Sequence, residues 1–314
     1  MISKIKDLSN ASTLVVGAEG EGQRIDNFLF RQCKGVPRSH IYRILRTGEV
    51  RVNGGRIDAT RRLKEGDRLR VPPIRLAARK AGASAPPAGP ELPSAYEDDA
   101  LLVIDKPSGI AVHGGSGVSF GVIERMRAAR PGLKLLELVH RLDRETSGLL
   151  MLAKKRSVLV GLHEAMRSGA IGKRYLALVR GRWTKAERSV SLPLRKYLTR
   201  EGERRVSVDG AGQASQTVFR LERKFREFTL LSAELRTGRT HQIRVHLAHL
   251  GFPVAGDDKY GDFELNRELG RRGLKRMFLH AAELSLVHPA AGTPLRLSSP
   301  LPVELQRFID SLDD

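Results

Sequence analysis

Residues 139–155 read VHRLDRETSGLLMLAKK, and the fold turns on how this stretch is taken. Its two ends have the character of strands. Leu136, Leu138 and Val139 lead in, and Leu149 to Ala153 lead out as a short apolar run that a buried sheet accepts. Between them lie His140, Arg141, Asp143, Arg144, Glu145, Thr146, Ser147 and Gly148. A loop held by a rigid sheet can aim such groups at a ligand. Asp143 is flanked closely by two arginines, which favour its ionised form, and an ionised, partly shielded carboxylate suits a nucleophile or general base. A plainer reading stands beside this one: Asp143 caps a turn, Thr146 and Ser147 satisfy backbone groups, and the arginines are solvated.

The rest of the chain narrows the choice. Its 314 residues suffice for a larger core and a small appendage. With 55 Lys+Arg against 35 Asp+Glu the net charge is +20, which points to a polyanionic partner: nucleic acid first, an anionic membrane surface second. No apolar run is long enough to span a bilayer, and MISKIKDLSN has no signal-peptide apolar core, so a cytoplasmic protein is expected. Cys33 is the only cysteine, which excludes an internal disulfide and a cysteine-based metal cluster.

Residues 1–21 read as a lead-in, ending in a short strand near 13–16. Residues 22–72 form a compact pattern. Ile25, Phe28, Leu29 and Cys33 fall at helical spacing; a second helix begins near Ser39, turns Ile41, Ile44 and Leu45 inward and stops at Gly48. Val50 and Val52 alternate with Arg51 before the turn at Asn53-Gly54-Gly55, and Leu69 and Val71 mark a closing strand. Residues 1–80 hold 18 Lys+Arg and 8 Asp+Glu, so half of the excess charge sits in a quarter of the chain. A merely solvated surface mixes signs, so this favours contact with nucleic acid. Residues 73–94, rich in Ala, Pro and Gly, read as a linker.

A larger domain is expected over residues 95–314. It opens with a strand at 101–104, a Gly-rich loop carrying Lys106 and His113, and a helix from about 119 to 129. The loop lacks phosphate-loop spacing; a simple strand-to-turn transition with Lys106 exposed is one reading, and the segment is read as a substrate-side loop. A helix over 157–168 follows the Asp143 loop. In GKRYLALVRGRW, Tyr175, Ala177 and Val179 share one face of a strand; a strand aromatic is ordinarily core, but a base lifted from RNA needs an aromatic platform. Residues 185–213 read as an Arg-rich insertion forming a hairpin, and strands follow at 216–222 and 228–235. In RTGRTHQIRVHLAHLG, Thr240 serves as N-cap and Gly251 as stop, with Ile243, Leu247 and Leu250 inward and His241 and Arg244 on a neighbouring face. His241, His246 and His249 point to different sides of such a helix and no carboxylate has metal-motif spacing, so no metal site is expected. The end of the chain gives two strands and a loop.

Two resemblances join these readings. Residues 22–71 are similar to an S4 domain, a small RNA-binding module, which implies Arg38, Ser39, Arg43, Arg46 and Arg51 as phosphate contacts. HRLDRETSGLLMLAK, KRYLALV and RTHQIRVH resemble the motifs of the RluA-type pseudouridine synthases, and the similarity runs from Gly22 to Pro302. The resemblance implies an α+β fold: a small α/β module, then a mixed, mostly antiparallel sheet flanked by helices, with a cleft across its middle. It further implies Asp143 as the essential carboxylate, Arg244 as its partner and Tyr175 as the stacking platform. Arg141 displaces or holds the target nucleotide, and His140, Thr146, Leu279 and His241 complete the substrate side. The expected substrate is a uridine of 23S rRNA in the large ribosomal subunit. No cofactor, no membrane and no obligate protein partner are expected, and a monomer is the default. Two rivals remain at this stage: a sibling synthase acting on other rRNA or tRNA uridines, and an RNA-binding assembly factor without catalysis.

Overall fold

A computed structural model describes residues 10–33, 36–74, 91–114 and 120–313, without the side chains of residues 38 and 39. The start of the lead-in, most of the expected linker and residues 115–119 lie outside the described residues. The chain divides into two compact units, Met1–Ala85 and Pro86–Asp314. Among the described residues no helix is long and apolar enough to cross a membrane.

The small unit comprises β1 (Ser12–Val15), α1 (Ile25–Gln32), α2 (Arg38–Arg46), β2 (Arg51–Val52), β3 (Gly55–Arg56) and β4 (Arg68–Val71), its sheet ordered β1-β4-β2-β3. The strand expected at the end of the lead-in is thus part of this unit's sheet, antiparallel to β4. Both helices are amphipathic: Ile25, Phe28 and Leu29 of the first and Ile41, Ile44 and Leu45 of the second are buried with Val50, Val52, Leu69 and Val71. Asn53 (φ 50°) and Gly54 (φ 82°) both take positive φ, as the tight hairpin between β2 and β3 requires.

The larger unit runs β5 (Ser94–Glu97), β6 (Leu101–Lys106), α3 (Val122–Ala129), β7 (Glu137–Leu138), β8 (Ser147–Ala153), α4 (Arg156–Arg167) and β9 (Gly172–Arg180). It continues β10 (Glu187–Ser191), β11 (Leu194–Leu198), β12 (Arg204–Val208), β13 (Gln216–Lys224), β14 (Phe228–Leu235), α5 (Gln242–His249), α6 (Phe263–Arg271), β15 (Leu279–Val287), β16 (Pro294–Ser298) and α7 (Val303–Asp310). The ten-stranded sheet follows the order β10-β13-β14-β9-β15-β8-β6-β5, with β16 added at β15 and β7 at β8. Among the described residues of this sheet only β15 and β8 pair in parallel; the other pairs are antiparallel. This is the expected mixed, mostly antiparallel α+β architecture.

All seven residues of β8 are buried, because the strand feeds two cores. Leu150 and Leu152 join Tyr175, α3 and α5 on one face. Leu149 and Met151 join α4 on the other. Gly148 (φ 104°) lies at the parallel junction, where a Cβ would stand 2.2 Å from the Ala281 carbonyl oxygen. Only glycine lets the two strands meet there.

The segment read as an insertion is split. β10 extends the main sheet at its edge beside β13, and only β11 and β12 form a separate hairpin. Val190, Leu194 and Val206 are its buried anchors. The two helices α6 and α7 were not expected; they cover Leu178, Phe228 and Phe278.

Candidate active site

Asp143 sits in the connection between β7 and β8, with its side chain 25% exposed. The Thr146 amide donates to the Asp143 carbonyl at 3.2 Å, so the loop is a turn, and Thr146 itself is buried inside it. Lys106 holds the turn from below. Far from being exposed, it is fully buried, and its Nζ donates to the carbonyls of Pro107, Ile110 and Arg144 at 2.9, 2.9 and 3.0 Å. Burial, aided by the Arg276 charge, pushes its pKa down to about 8. Arg276 adds a second brace, donating to Ser147 Oγ at 2.7 Å. The plain reading of the loop as turn chemistry is therefore true of its backbone, which leaves the Asp143 carboxylate free for another partner.

That partner comes from α5. Arg244 is 4% exposed; its guanidinium is hydrogen-bonded to two carboxylates, with a third, Asp258, 3.5 Å from Nη2. Nε and Nη2 donate to Asp257 at 2.7 Å each, and Nη1 donates to Asp143 at 3.1 Å. The arginines adjacent to Asp143 in sequence do not fill this role. Arg144 donates to the Gly109 carbonyl at 3.0 Å, and Arg141 is exposed. Burial alone lowers the pKa of Arg244, but Asp257 and Asp143 outweigh it and the net movement is upward. Asp257 is fully buried; burial raises its pKa, the Arg244 hydrogen bonds and charge reverse this, and it stays an anion.

His241, not Thr240, precedes the first turn of α5, in the left-handed region at φ 53° and without a side-chain cap. α5 is accordingly shorter than the expected ten residues, and Gly251 ends it as expected, at φ 82°. The strained conformation brings His241 Nε2 to 3.8 Å from Asp143 Oδ1, while Nδ1 lies 2.7 Å from Tyr260 Oη. His246 turns inward to Ser215 and Thr217, and His249 is exposed, so the three histidines do not converge.

Tyr175 on β9 is 6% exposed and belongs to the same apolar cluster as Leu142, Ile243 and Leu279. Burial, with the Asp143 charge adding to it, moves its phenol well above the ordinary tyrosine value. Leu279 pairs with Ala177 on the adjacent strand. His140 is committed elsewhere: its Nε2 accepts from the Met151 amide at 3.1 Å, and burial followed by the Lys173 charge pushes its pKa down to about 3. The neutral ring fastens the loop to β8.

The arrangement is thus a half-open carboxylate paired with a buried guanidinium, beside an aromatic ring in an apolar wall. Asp257, Tyr260 and Lys106 went unassigned in the sequence. The first two lie in GDDKYG, directly after the run that carries Arg244, and that adjacency was the available signal. In the small unit Arg43 and Arg46 are exposed on α2, Arg43 pairing with Glu49 at 3.4 Å, and Arg51 donates to the Gly54 carbonyl at 3.2 Å. The expected contacts of Arg38 and Ser39 lie outside the described residues.

Residues 100–249 match the family model described as RNA pseudouridylate synthase, and residues 23–69 match the S4 domain. The ribosomal large subunit pseudouridine synthase C of Escherichia coli (strain K12) is 51% identical over 305 residues, covering 95% of this chain and 96% of that protein. The protein of the same name from Yersinia pestis is 50% identical over 303 residues, covering 95% of each. The solved structure of human RNA pseudouridylate synthase domain containing 4 covers 71% of this chain and 94% of its own, with 24% identity and a TM-score of 0.57, which shows a shared fold. Given this likeness along nearly its whole length, the chain belongs to the RNA pseudouridylate synthase family and is an RNA pseudouridine synthase with an S4 domain.

Proposed function

We propose that this enzyme converts particular uridines of 23S rRNA in the large ribosomal subunit to pseudouridine, with Asp143 as its essential carboxylate. The observation that carries the site assignment is the 3.1 Å pairing of Asp143 with Arg244 beside Tyr175. The names of the relatives support large-subunit rRNA as the substrate. The reaction breaks the N1–C1′ bond of the target, turns the uracil and rejoins it through C5. It is an isomerisation, so it needs no net redox change and no transferred group. Attack at C1′, attack at C6 and removal of the C2′ proton all need a carboxylate held against the nucleoside, and Arg244 Nη1 holds Asp143 by a 3.1 Å hydrogen bond.

The target base must leave its stack, at a cost of a few kcal/mol that is least in a looped strand. The exposed Arg141 occupies the gap, and Tyr175 receives the uracil face. Residues 22–72 grip the RNA through Arg38, Ser39, Arg43, Arg46 and Arg51, and residues 73–94 link this module to the synthase domain at 95–314. The enzyme acts in the cytoplasm as a monomer without an obligate protein partner.

Pseudouridine mapping of rRNA and tRNA from cells with and without the protein tests this reading. Sites in large-subunit rRNA should vanish without it and return with the wild-type chain but not with Asp143→Asn. Restoration by Asp143→Asn would remove the carboxylate from the mechanism, and sites lost from tRNA instead would name a different substrate.

A further inference from the structure

The Tyr260 hydroxyl is committed twice. The Val206 amide, on the β11–β12 hairpin, donates to Oη at 2.9 Å, and His241 Nδ1 lies 2.7 Å from the same oxygen. Burial pushes the phenol pKa up to about 12, so the hydroxyl keeps its hydrogen. The amide fills one acceptor position, and Nδ1 lies within bonding distance to accept that hydrogen. Burial also holds His241 below the ordinary histidine value despite Asp143, so the ring is neutral. A neutral ring that accepts at Nδ1 carries its proton on Nε2. That N–H faces Asp143 Oδ1 at 3.8 Å.

The hairpin that supplies the amide is seated firmly. Arg205 Nη1 donates to the Lys259 carbonyl at 2.9 Å, Glu203 pairs with Lys259, and Val206 packs on Val245 of α5. Arg244 lies over the Tyr260 ring, 5.1 Å from its centroid. Tyr260 therefore touches both groups that face Asp143.

A donor and an acceptor 3.8 Å apart are too distant to bond each other well, but they suit a hydroxyl that accepts from one and donates to the other. Beside the glycosidic bond RNA offers one such group, the ribose 2′-hydroxyl. We propose that His241 Nε2 and Asp143 Oδ1 together bind the 2′-hydroxyl of the target nucleotide, and that Tyr260, fixed by the Val206 amide, is the positioning residue that sets the His241 tautomer. The inference rests on Asp143 being the active-site carboxylate, and it gives the pocket a means of telling RNA from DNA at the target itself.

The test uses the full chain and an rRNA stem-loop containing a uridine mapped as above, carrying either ribose or 2′-deoxyribose at that one position. Wild-type protein should bind the ribose form about tenfold more tightly, the scale of a hydrogen bond to a charged group. Tyr260→Phe, which keeps the ring and leaves the Asp143 contact in place, should reduce that preference by about threefold, the scale of one neutral hydrogen bond. In nitrogen-15 spectra His241 should carry its proton on Nε2 in the wild type. An equal ribose preference in both proteins, or a proton on Nδ1 in the wild type, overturns the proposal. Should Tyr260→Phe fail to fold, the wild-type spectrum and ribose preference decide alone. If no uridine is modified, the functional reading fails instead, so the two failures are distinct.

Discussion

Arg244 reaches Asp143 with one nitrogen while its other two donors are locked on Asp257, which is separated from it by thirteen residues of sequence. The geometry is asymmetric. Asp257 is fully buried and takes the guanidinium edge-on, whereas Asp143 is a quarter exposed and takes a single bond. Asp257 thus aims the arginine, and the single bond to Asp143 leaves Oδ1 outside the guanidinium's grip.

Replacing Arg244 with lysine keeps the charge but not the fork, since a compact ammonium cannot bind Asp257 edge-on and still reach Asp143. Turnover should fall on the order of a hundredfold with little change in KM, because the lost interaction acts on the carboxylate and not on RNA affinity. A rise in KM with turnover intact would mean that Arg244 grips the RNA instead.

Asp257 predicts an acid limit. Its folded pKa lies below the ordinary carboxylate value, so it contributes stability above about pH 3.9, the unfolded value, and loses it as pH falls through the depressed folded pKa. Asp257→Asn should cost about 3–5 kcal/mol at pH 7, the scale for breaking a buried pair. The gap between variant and wild type should narrow below about pH 4. Urea unfolding across this range measures it, and a pH-independent gap would assign the loss to packing.

Lys106 runs the other way in charge but not in sign. Its folded pKa of about 8 lies below the unfolded value near 10.4, so the unfolded chain holds more protons between the two. Stability from this group should therefore rise as pH climbs from about 8 to 10.4. Lys106→Met should remove that rise and cost about 3 kcal/mol at pH 7 by leaving three carbonyls without their donor. Equal pH slopes in the two proteins would show that Lys106 does not titrate there.

The small unit was legible almost residue by residue because its signals are local: helical spacing in 25–33, an Asn-Gly turn and alternating valines. The continuous apolar run 149–153 likewise announced a buried strand. What spacing alone left open were partnerships across the chain. Arg141 and Arg144 neighbour Asp143 in sequence, yet the arginine that pairs with it came through family resemblance from a hundred residues away. Lys106 reads as a surface lysine until β6 and the Asp143 loop fold around it. The strain at His241 was invisible too, because Thr240 is the better cap by composition, but the chain follows the contacts of His241 with Tyr260 and the carboxylate.

Tyr175→Phe keeps the ring face and should leave rRNA affinity within about twofold, since stacking needs no hydroxyl. Tyr175→Ala should weaken binding of a stem-loop with an extruded uridine by roughly 1–3 kcal/mol. Gel-shift titration of both variants separates the roles. Equal losses from Phe and Ala would move the contribution from the ring to the hydroxyl.

The small unit should show itself in salt. Residues 1–80 carry a difference of +10 between basic and acidic residues, and Arg43 and Arg46 stand exposed on one helix with Arg51 on the next strand. Each arginine that meets a phosphate releases counterions, and neutralising one such arginine lowers the slope of log affinity against log salt by about 0.7–0.9. The full chain with Arg43, Arg46 and Arg51 all replaced by glutamine should therefore lose roughly 2 units of slope, with binding weakened most at low salt. Single-site pseudouridine formation at saturating RNA should be unaffected, because these side chains belong to the other compact unit. An unchanged slope would mean that phosphates are held by other residues, and would leave the +10 excess as a surface property that meets no RNA.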